Sequence, residues 1–427
     1  MSSKVAVIGA GYVGLTTAAC FAHLGHEVYC ADIDAERIAL LERGEVPILE
    51  AGLEQLIAEG VRAGRLHFVV GAAAAAQHAE FSYLSVPTPQ GHDGRADLSY
   101  IEAAAREIGP VLPAEAVVIN KSTVPVGSTR VVEQALGRSD VYVVSNPEFL
   151  REGSAVSDFL HPDRVVIGSE DQSAAIRVAS LYVGVPAPLM VTDPASAETI
   201  KYASNAFLAT KLSFVNAVAA VCEAVGADVN DVVLGMGYDK RIGHDFLKPG
   251  PGYGGSCFPK DTSALIRIAE DAGYDFRLLK GVVDVNEEQF DRVVRKVAEM
   301  AGGTLEGATV AAWGLTFKAR TDDLRESPAL HVLGRLLDEG ATVRAYDPAV
   351  SSTLDSHPGI EVCDDPYAAC AGAQVLVVLT EWDEFRWLDL DKVAESMAEA
   401  AIVDARNLLD RSAVQRRGFR FEGIGRR

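Results

Sequence analysis

The amino terminus alternates short apolar runs with a glycine-rich turn. Residues 4–8 are rich in β-forming side chains and lead directly into a Gly-x-Gly-x-x-Gly turn at 9–14. A mostly apolar stretch then continues to His23, and residues 27–31 form a second β-rich run that ends at Asp32. The pattern predicts a strand, a helix and a second strand, which is the βαβ unit of a doubly wound sheet.

Further apolar runs recur along the chain, and each is followed by a polar or Gly/Pro-rich turn. They cover residues 81–86, 117–121, 141–145, 309–313, 342–346, 375–380 and 401–404. Residues 309–346 repeat the strand, turn, helix and strand of the amino terminus without its three-glycine turn. We therefore predict an α/β protein with two Rossmann-like, doubly wound domains joined by a long central helix.

The central helix is predicted from Ala195 to about Gly226, a stretch with a helical pattern and no Pro or Gly before its end. The expected domains are 1–194 around the first βαβ unit, 195–300 with the central helix and a cysteine loop, and 301–427 around the second unit. Lys201 and Asn205 lie four residues apart and therefore share one helix face. A lysine on a helix is ordinarily solvated, but Asn205 within this apolar pattern favours a site for both.

Composition narrows the class of protein. The 427 residues include 39 Lys and Arg against 60 Asp and Glu, and the net charge of -21 opposes binding to nucleic acids or anionic membranes. No apolar run approaches the roughly 20 residues of a membrane span, and the chain enters a strand rather than a signal sequence. We expect a cytoplasmic protein. The six cysteines lack CxxC or Cys/His clustering, so no disulfide framework and no metal site are expected.

One cysteine is set apart by its surroundings. The sequence Gly-Tyr-Gly-Gly-Ser-Cys-Phe-Pro-Lys-Asp at 252–261 places Cys257 in a glycine-rich turn, with Lys260 and Asp261 directly behind it. A thiol becomes reactive where a cation or backbone N–H groups favour the thiolate. A lone cysteine is more often a buried structural residue. The glycines before Cys257 and the Lys-Asp pair after it favour a covalent nucleophile.

The turn at 9–14 indicates a dinucleotide site, because a strand precedes it, a helix follows it and Asp32 comes about 20 residues later. Its glycines allow the backbone to approach a pyrophosphate at the helix N-terminus. Asp32 can accept from both ribose hydroxyls and would repel a 2′-phosphate, which favours NAD over NADP. The alternative is a glycine-rich turn without a ligand. The turns at 87–89, 122–125 and 146–148 follow strands and are candidate walls of the site.

Seven motifs in order resemble the UDP-glucose/GDP-mannose dehydrogenase family of nucleotide-sugar dehydrogenases, and within it the bacterial UDP-glucose-oxidising branch. They are Gly-Tyr-Val-Gly at 11–14, Ser-Val-Pro-Thr-Pro at 85–89, Lys-Ser-Thr-Val-Pro-Val-Gly at 121–127, Asn-Pro-Glu-Phe-Leu-Arg-Glu-Gly-Ser-Ala at 146–155, Arg-Ile-Gly at 241–243, the Cys257 segment, and Thr-Asp-Asp-Leu-Arg-Glu-Ser at 321–327. The resemblance spans essentially the whole chain. It implies an NAD domain, a dimer formed through the central helix, and a UDP-binding domain.

The resemblance also implies a reaction, a double oxidation of the C6 alcohol of UDP-glucose to UDP-glucuronate that consumes two NAD. The Cys257 thiolate would add to the intermediate aldehyde, and the thiohemiacetal would be oxidised to a thioester that water releases. By the family's pattern, Lys201 and Asn205 would stabilise the oxyanion. Asp261 and Thr123 would hold the water, and Glu148 would assist thioester hydrolysis.

Binding residues follow from the same resemblance. For NAD they are Gly9, Gly11, Val13, Gly14, Asp32, Arg37, Thr88, Thr123, Glu152, Lys260 and Arg325. For the UDP-sugar they are Glu148, Phe149, Leu150, Arg151, Glu152, Lys201, Asn205, Phe246, Leu247, Lys248, Pro249, Gly250, Gly254, Lys318 and Arg406. Arg241 resembles an arginine that reaches the sugar of the neighbouring subunit. The ordinary alternative for each cation is a solvated surface charge, but cations beside glycine loops in so acidic a chain favour a pyrophosphate.

Alternatives remain within and outside this class. A dehydrogenase for GDP-mannose or for a UDP-N-acetylhexosamine shares the chemistry, although the motif at 146–155 and its continuation at 161–164 favour UDP-glucose. An NAD-binding regulatory protein without turnover is a different class. It would have no need to keep all four of Cys257, Lys201, Asn205 and Asp261. A two-electron alcohol dehydrogenase would not require the nucleophile.

Overall fold

An eight-stranded sheet organises the amino-terminal part of the computed structural model, which describes residues 2–89, 91, 96–351 and 353–426. Its strands are β1 Lys4–Ile8, β2 Glu27–Asp32, β3 Leu66–Val70, β4 Phe81–Leu84, β5 Val117–Asn120, β6 Tyr142–Ser145, β7 Val165–Gly168 and β8 Leu189–Thr192. The strand order is β3-β2-β1-β4-β5-β6-β7-β8. Neighbours pair in parallel except β6 and β7, which share one antiparallel bridge between Ser145 and Gly168. The first six strands have the Rossmann order.

Helices cover both faces of this sheet. They are α1 Tyr12–His23, α2 Ala35–Glu42, α3 Leu53–Arg62, α4 Ala72–Ala76, α5 Ser99–Ile108, α6 Ser128–Leu136, α7 Ala155–Leu160 and α8 Gln172–Ser180. One buried apolar cluster includes Leu15 and Phe21 of α1, and another on the opposite sheet face includes Ile101 of α5. Burial on both faces explains why the strands are nearly continuous apolar runs.

Four helices lie between β8 and the next strand of the chain. They are α9 Pro194–Val225, α10 Val229–Gly237, α11 Phe258–Asp271 and α12 Arg277–Met300. By length and composition alone, α9 could cross a membrane, but one third of its most apolar window is buried in the chain. A single such helix is weak support for a membrane span, because the core helix of a globular protein passes the same test. α9 also holds the buried side chains of Glu198 and Lys201, which lipid would disfavour.

A six-stranded parallel sheet organises the carboxyl-terminal part. Its strands are β9 Thr309–Trp313, β10 Thr342–Tyr346, β11 Ile360–Val362, β12 Val375–Val378, β13 Ala401–Asp404 and β14 Arg420–Gly423. The order β11-β10-β9-β12-β13-β14 repeats the Rossmann order with β9 as its first strand. Its helices are α13 Pro328–Asp338, α14 Pro366–Cys370, α15 Leu390–Ser396 and α16 Arg411–Arg416, with a 3-10 helix at Asp383–Trp387.

The two sheets share one packing device where the first strand turns into its helix. Gly9 and Gly314 follow β1 and β9, with φ of 101° and 102°. A Cβ on Gly9 would lie 2.5 Å from the carbonyl oxygen of Ser85, and one on Gly314 would lie 2.4 Å from Cβ of Thr380. Each glycine is therefore required by its φ and by the close approach of the residue beyond the fourth strand.

The predicted fold is confirmed, with differences at element ends and at short strands. The predicted strands 81–86, 117–121 and 375–380 end one or two residues earlier, at Leu84, Asn120 and Val378. The sequence pattern did not predict β3, β7, β8, β11 or β14, which are only three to five residues long. In β8 the apolar side chains are largely exposed at the sheet edge, so no alternation marks it.

The chain divides into two compact units. One comprises Met1–Ser204 and Ser263–Ala272, and the other comprises Asn205–Thr262 and Gly273–Arg427. The candidate residues fall into both units.

Candidate active site

The turn between β1 and α1 is shaped to admit a pyrophosphate. An added Cβ at Gly14 would lie 1.8 Å from the carbonyl oxygen of Gly9, so helix and strand pack too closely there for a side chain. A Cβ at Gly11 would meet nothing within 4 Å. Gly11 also provides no side-chain cap for α1, so the first N–H groups of the helix face this open space. The turn therefore fits a dinucleotide phosphate, which binds helix N-termini through such groups.

Asp32 and Arg37 lie at the same turn. The Asp32 carboxylate accepts the N–H groups of Ala10 at 2.8 Å and Asp34 at 3.0 Å. Arg37 donates to the carbonyl oxygen of Ala10 at 3.3 Å. Asp32 is half-buried, so its carboxylate is accessible to a ribose. The sequence pattern did not single out Ile33, which follows Asp32 and is 81% exposed. Its signal was an apolar residue directly after a strand-ending acid.

The acid in the corresponding place of the second sheet is used differently. Asp347 follows β10 as Asp32 ends β2, but it is buried and accepts the N–H groups of Leu315 at 2.7 Å and Thr316 at 3.0 Å. The indole of Trp382 donates to the same oxygen at 3.1 Å. Asp347 is therefore buried and hydrogen-bonded around its own turn. Unlike the half-buried Asp32, it is not accessible to a ribose.

The turns after β4 and β5 are tied to each other. The Thr88 hydroxyl donates to the carbonyl oxygen of Thr123 at 3.0 Å, and the Ser122 hydroxyl donates to that of Val86 at 2.6 Å. Since β4 is the neighbour of β1, these turns lie at the topological switch point of the sheet. Ligands bind at this position in doubly wound folds.

A buried ion pair lies at the turn after β6. The Lys201 ammonium donates to Glu148 Oε1 at 2.8 Å, and the two residues are only 3% and 5% exposed. The N–H of Leu150 donates to Glu148 Oε2 at 2.7 Å. Burial alone would raise the pKa of Glu148, but the Lys201 charge and these hydrogen bonds lower it below its usual value. Glu148 is therefore held as a carboxylate in a largely water-free place.

Neighbours of Glu148 differ in their exposure. Phe149 lies under the Arg164 guanidinium, with 3.7 Å from Cζ to the ring centroid, and Leu150 packs against the apolar core. Arg151 is mostly exposed and pairs with Asp158 at 2.5 Å. Glu152 is half-buried on the same loop. The sequence did not indicate a role for Arg164, because Arg164 and Phe149, on which it stacks, lie 15 positions apart in the chain.

The cysteine loop lies in the second unit. Glycines there fit against bulky neighbours: an added Cβ would lie 2.6 Å from Phe290 at Gly252, 1.9 Å from the Glu326 carbonyl oxygen at Gly254, and 2.7 Å from Phe317 at Gly255. Cys257 directly precedes α11, and its carbonyl oxygen accepts the N–H of Asp261 at 2.8 Å. The thiol therefore lies at the N-terminus of a helix, where the helix dipole favours a thiolate.

Cys257 differs from the other cysteines in exposure. The other five are buried: Cys20, Cys30, Cys222, Cys363 and Cys370. Burial raises the pKa of all five thiols, to about 12 for Cys20, Cys30 and Cys370. Their thiols are therefore held in the unreactive form. Cys257 is partly exposed, with the Ser256 hydroxyl 3.5 Å from its sulfur.

Asp261 is fully buried between two donors. The Asn205 amide donates to its Oδ2 at 2.6 Å, and the Lys260 ammonium contacts its Oδ1 at 2.7 Å. Asn205 itself lies one helical turn beyond Lys201 on α9. The structure thus links Asn205, Lys260 and Asp261 directly, one turn after Cys257.

The predicted UDP-sugar residues of the second unit gather at the carboxyl edge of its sheet. The N–H of Gly250 donates to the Asn216 side chain at 2.9 Å. A Cβ on Gly250 would lie 3.5 Å from the Arg406 guanidinium, which donates to the carbonyl oxygen of Phe317 at 3.1 Å. Lys318 lies over the Phe317 ring at 5.0 Å. On the same loop as Gly250, Leu247 and Pro249 are buried, Phe246 is half-buried and Lys248 is exposed.

Two predicted arginines are engaged locally. Arg241 is largely exposed and pairs with Asp239 at 2.6 Å. Arg325 pairs with Asp323 at 2.6 Å. These described contacts stay within each arginine's own turn, so the assigned roles of both residues remain predictions.

Three family models match consecutive parts of the chain. They describe the NAD binding domain, the central domain and the UDP binding domain of the UDP-glucose/GDP-mannose dehydrogenase family, over residues 3–185, 195–288 and 311–411. The described residues include no group of three or more His, Cys, Asp or Glu able to hold a metal ion.

Relatives and solved structures agree with these models. The UDP-glucose 6-dehydrogenase of Rhizobium meliloti is 46% identical over 434 residues, which cover 99% of each chain. A UDP-glucose dehydrogenase structure from the hyperthermophilic archaeon Pyrobaculum islandicum has a TM-score of 0.90 and 37% identity, covering 100% of this chain and 98% of that one. The UDP-D-ManNAc dehydrogenase structure from Pyrococcus horikoshii has a TM-score of 0.88 and 29% identity, covering 99% of each chain.

Proposed function

The chain belongs to the UDP-glucose/GDP-mannose dehydrogenase family, and on that premise we propose that this NAD-dependent oxidoreductase converts UDP-glucose to UDP-glucuronate. The observation that carries the proposal is Cys257, a partly exposed thiol at the N-terminus of α11, with a buried, hydrogen-bonded acid one turn later. Such an arrangement supports covalent capture of an aldehyde followed by hydrolysis.

The proposed conversion of UDP-glucose to UDP-glucuronate is a four-electron oxidation. The C6 alcohol loses one hydride and the thiohemiacetal loses another, and each hydride would need its own bound NAD as acceptor. Between them, the Cys257 thiolate forms a C–S bond to the aldehyde carbon, and the carbonyl oxygen becomes an oxyanion. Water later attacks the thioester, the C–S bond breaks, and the carboxylate leaves with the thiolate regenerated.

Lys201 and Asn205 are proposed to stabilise the oxyanion. Both side chains are buried, and both are donors one helical turn apart on α9. A donor in a water-poor place stabilises developing charge more than the same donor in water. The Lys201 ammonium donates to Glu148 and the Asn205 amide donates to Asp261, so a carboxylate fixes the position of each donor.

Three residues are proposed to serve thioester hydrolysis. Asp261 and Thr123 would orient the attacking water, and Glu148 would accept its proton. The low pKa of Glu148 keeps it in the carboxylate form that a proton acceptor requires.

NAD is proposed to lie on the turn at 9–14, with its ribose on Asp32 and contacts at Val13, Arg37, Thr88 and Glu152. The open space at Gly11 and the half-buried Asp32 carboxylate support this placement. The UDP-sugar is proposed to contact the loops at 148–152 and 246–250, with Gly254, Lys318 and Arg406. In this assignment Arg406 is the cation for the pyrophosphate, since it already adjoins Gly250.

Other nucleotide sugars are the second candidate substrates. The Pyrococcus structure bears the name of a UDP-D-ManNAc dehydrogenase, at 29% identity over 99% of this chain. The identity to the Rhizobium UDP-glucose 6-dehydrogenase is 46% over a similar length, which favours UDP-glucose.

A homodimer through α9 is also proposed. Phe207, Phe214 and Val221 are exposed at seven-residue intervals along this helix, followed by exposed Val225. An apolar stripe at heptad spacing is the pattern of helices that pack against a partner helix. We assign α9 to this contact rather than to a membrane, and the absence of a disulfide among the described cysteines agrees with a reducing cytoplasm.

The decisive experiment incubates the purified protein with NAD and a panel of nucleotide sugars and counts NADH formed per sugar. UDP-glucose should give two NADH per molecule, with no free aldehyde trapped by a hydrazine. A ratio of one, or a preference for GDP-mannose or a UDP-N-acetylhexosamine, would overturn the proposal.

A further inference from the structure

A lysine lies buried next to the turn that presents Glu148. Lys121 follows β5 and is only 4% exposed. Its ammonium donates to Asn146 Oδ1 and to the Tyr182 hydroxyl, both at 3.3 Å, and the Phe159 ring lies 5.7 Å away. Among the described residues no carboxylate forms an ion pair with it within 4.0 Å. Burying a cation among neutral partners is energetically unfavourable, so packing alone does not explain the position of Lys121.

Asn146 connects Lys121 to Glu148. Its amide donates to the carbonyl oxygen of Val166 at 2.8 Å, and its Oδ1 also accepts from the Tyr182 hydroxyl at 2.6 Å. Only Pro147 separates Asn146 from Glu148. Since Asn146 has hydrogen-bond partners on both sides of its amide, Lys121 and Tyr182 help to fix the turn from which Glu148 projects.

We propose that Lys121 is a positioning residue for Glu148, holding its turn through Asn146 and supporting its carboxylate with a second positive charge. The inference rests on the proposed function, which assigns Glu148 to thioester hydrolysis. When the Lys201 ammonium turns toward an oxyanion, Glu148 loses its ion-pair partner. Lys121 cannot turn in the same way, because its hydrogen bonds run to the neighbouring turn, and it remains as the fixed cation.

The charges around Glu148 agree with this assignment. Burial would raise the pKa of Glu148, whereas Lys201, the N–H of Leu150 and the charge of Lys121 lower it. Charged or titratable groups lining the same cavity are Lys121, Asp158, Arg164 and Tyr182. Asp158 is neutralised by Arg151, and Arg164 is stacked on Phe149. Lys121 and Lys201 are the two cations whose charges act on the Glu148 carboxyl.

The test follows thioester hydrolysis across pH in the full-length enzyme. Rapid-quench samples from a reaction with UDP-glucose and NAD are read by intact-protein mass spectrometry, which reports the decay rate of the acyl adduct. Lys121→Met removes the charge, and Lys121→Gln removes the charge but keeps a donor for Asn146. In both variants the acid limb of the decay rate should move to higher pH, because the pKa of Glu148 rises without the second cation. Above that limb the Gln variant should stay within about threefold of the parent, whereas the Met variant should be slower because Asn146 loses a donor.

Two controls separate charge from structure. Lys121→Arg retains the charge and should restore the acid limb of the parent. Tyr182→Phe removes a hydrogen bond to Asn146 without removing a charge, so it should leave the limb in place. An unshifted limb in the Gln variant, or an equal loss of rate at every pH, would overturn the inference and leave Lys121 a structural residue. A parent enzyme that forms no acyl adduct would instead overturn the proposed function, and with it this inference.

Discussion

The amide of Asn205 donates to the buried carboxylate of Asp261 at 2.6 Å, which ties α9 to the residue one turn beyond Cys257. Lys260 contacts the other oxygen of the same carboxylate at 2.7 Å. The acid is thus fixed by a neutral donor on one oxygen and a cation on the other. A carboxylate held in this way can orient a water molecule without changing its own position.

Asn205→Asp should make protein stability dependent on pH. Two carboxyls at this distance in a buried place cannot both ionise, so the shared pKa of the pair rises above the unfolded value of about 3.9. Stability should therefore be fully retained only below about pH 4, and it should be lower by roughly 2 kcal/mol at pH 8 than at pH 5. Urea unfolding at pH 5 and pH 8 measures this. Asn205→Ala, which removes the amide without adding charge, should lose the same stability at both pH values.

Cys257→Ser should arrest the reaction at the acyl stage. The hydroxyl keeps the size of the side chain, but an ester hydrolyses more slowly than a thioester. With UDP-glucose and NAD the variant should stop after about one turnover and carry the added mass of a UDP-glucuronyl group. Its melting temperature should match that of the parent within a few degrees. Continued turnover by this variant would exclude Cys257 as the covalent catalyst.

Asp32→Ala should narrow the preference for NAD over NADP. The Asp32 carboxylate would face the 2′-phosphate of NADP, and repulsion of roughly 1 to 3 kcal/mol corresponds to about five- to 150-fold in kcat/KM. Comparing kcat/KM for both cofactors in parent and variant measures the change. Asp34→Ala is the matched control, because Asp34 caps α2 through the N–H groups of Glu36 and Arg37 and does not bear on the ribose in this assignment. The Asp34→Ala variant should keep the parent's preference for NAD over NADP.

Phe214→Asp should dissociate the proposed dimer. Phe214 is exposed in the middle of the apolar stripe on α9, and a charge there would have to be desolvated on association. Sedimentation equilibrium at micromolar concentration should show the parent as a dimer and the variant as a monomer. Ile176→Asp is the control, since Ile176 on α8 is similarly exposed but outside the stripe. A monomeric parent would show that the stripe does not form a dimer.

Arg241 is predicted to act on the partner's substrate. Arg241→Ala and Cys257→Ala subunits should each be inactive alone. Mixed dimers should regain part of the activity, because one of their two sites would combine an intact arginine with an intact cysteine. Fluorescence exchange between labelled subunits establishes that mixing has occurred. No recovery after proven exchange would place Arg241 in its own chain's site.

The local elements of this protein could be derived from the sequence because their causes are local. The three glycines of the turn at 9–14, the strand before it and Asp32 lie within 29 residues, and the structure forms that unit as expected. The glycine-rich turn around Cys257 could also be predicted, since the glycines and the Lys-Asp pair adjoin it in the chain. The weak strand β8 was missed because exposed side chains at a sheet edge leave no period-two pattern.

Tertiary structure alone decided which distant residues meet. Glu148 and Lys201 are 53 residues apart, and Asn205 and Asp261 are 56 apart, so neither pair leaves a pattern in the sequence. The same holds for Asp347, which accepts the N–H groups of Leu315 and Thr316 from 32 and 31 residues away in the chain. In the sequence alone, Lys121 cannot be distinguished from an ordinary lysine. Its burial against Asn146 depends on the parallel pairing of β5 with β6, a non-local contact that periodicity cannot encode.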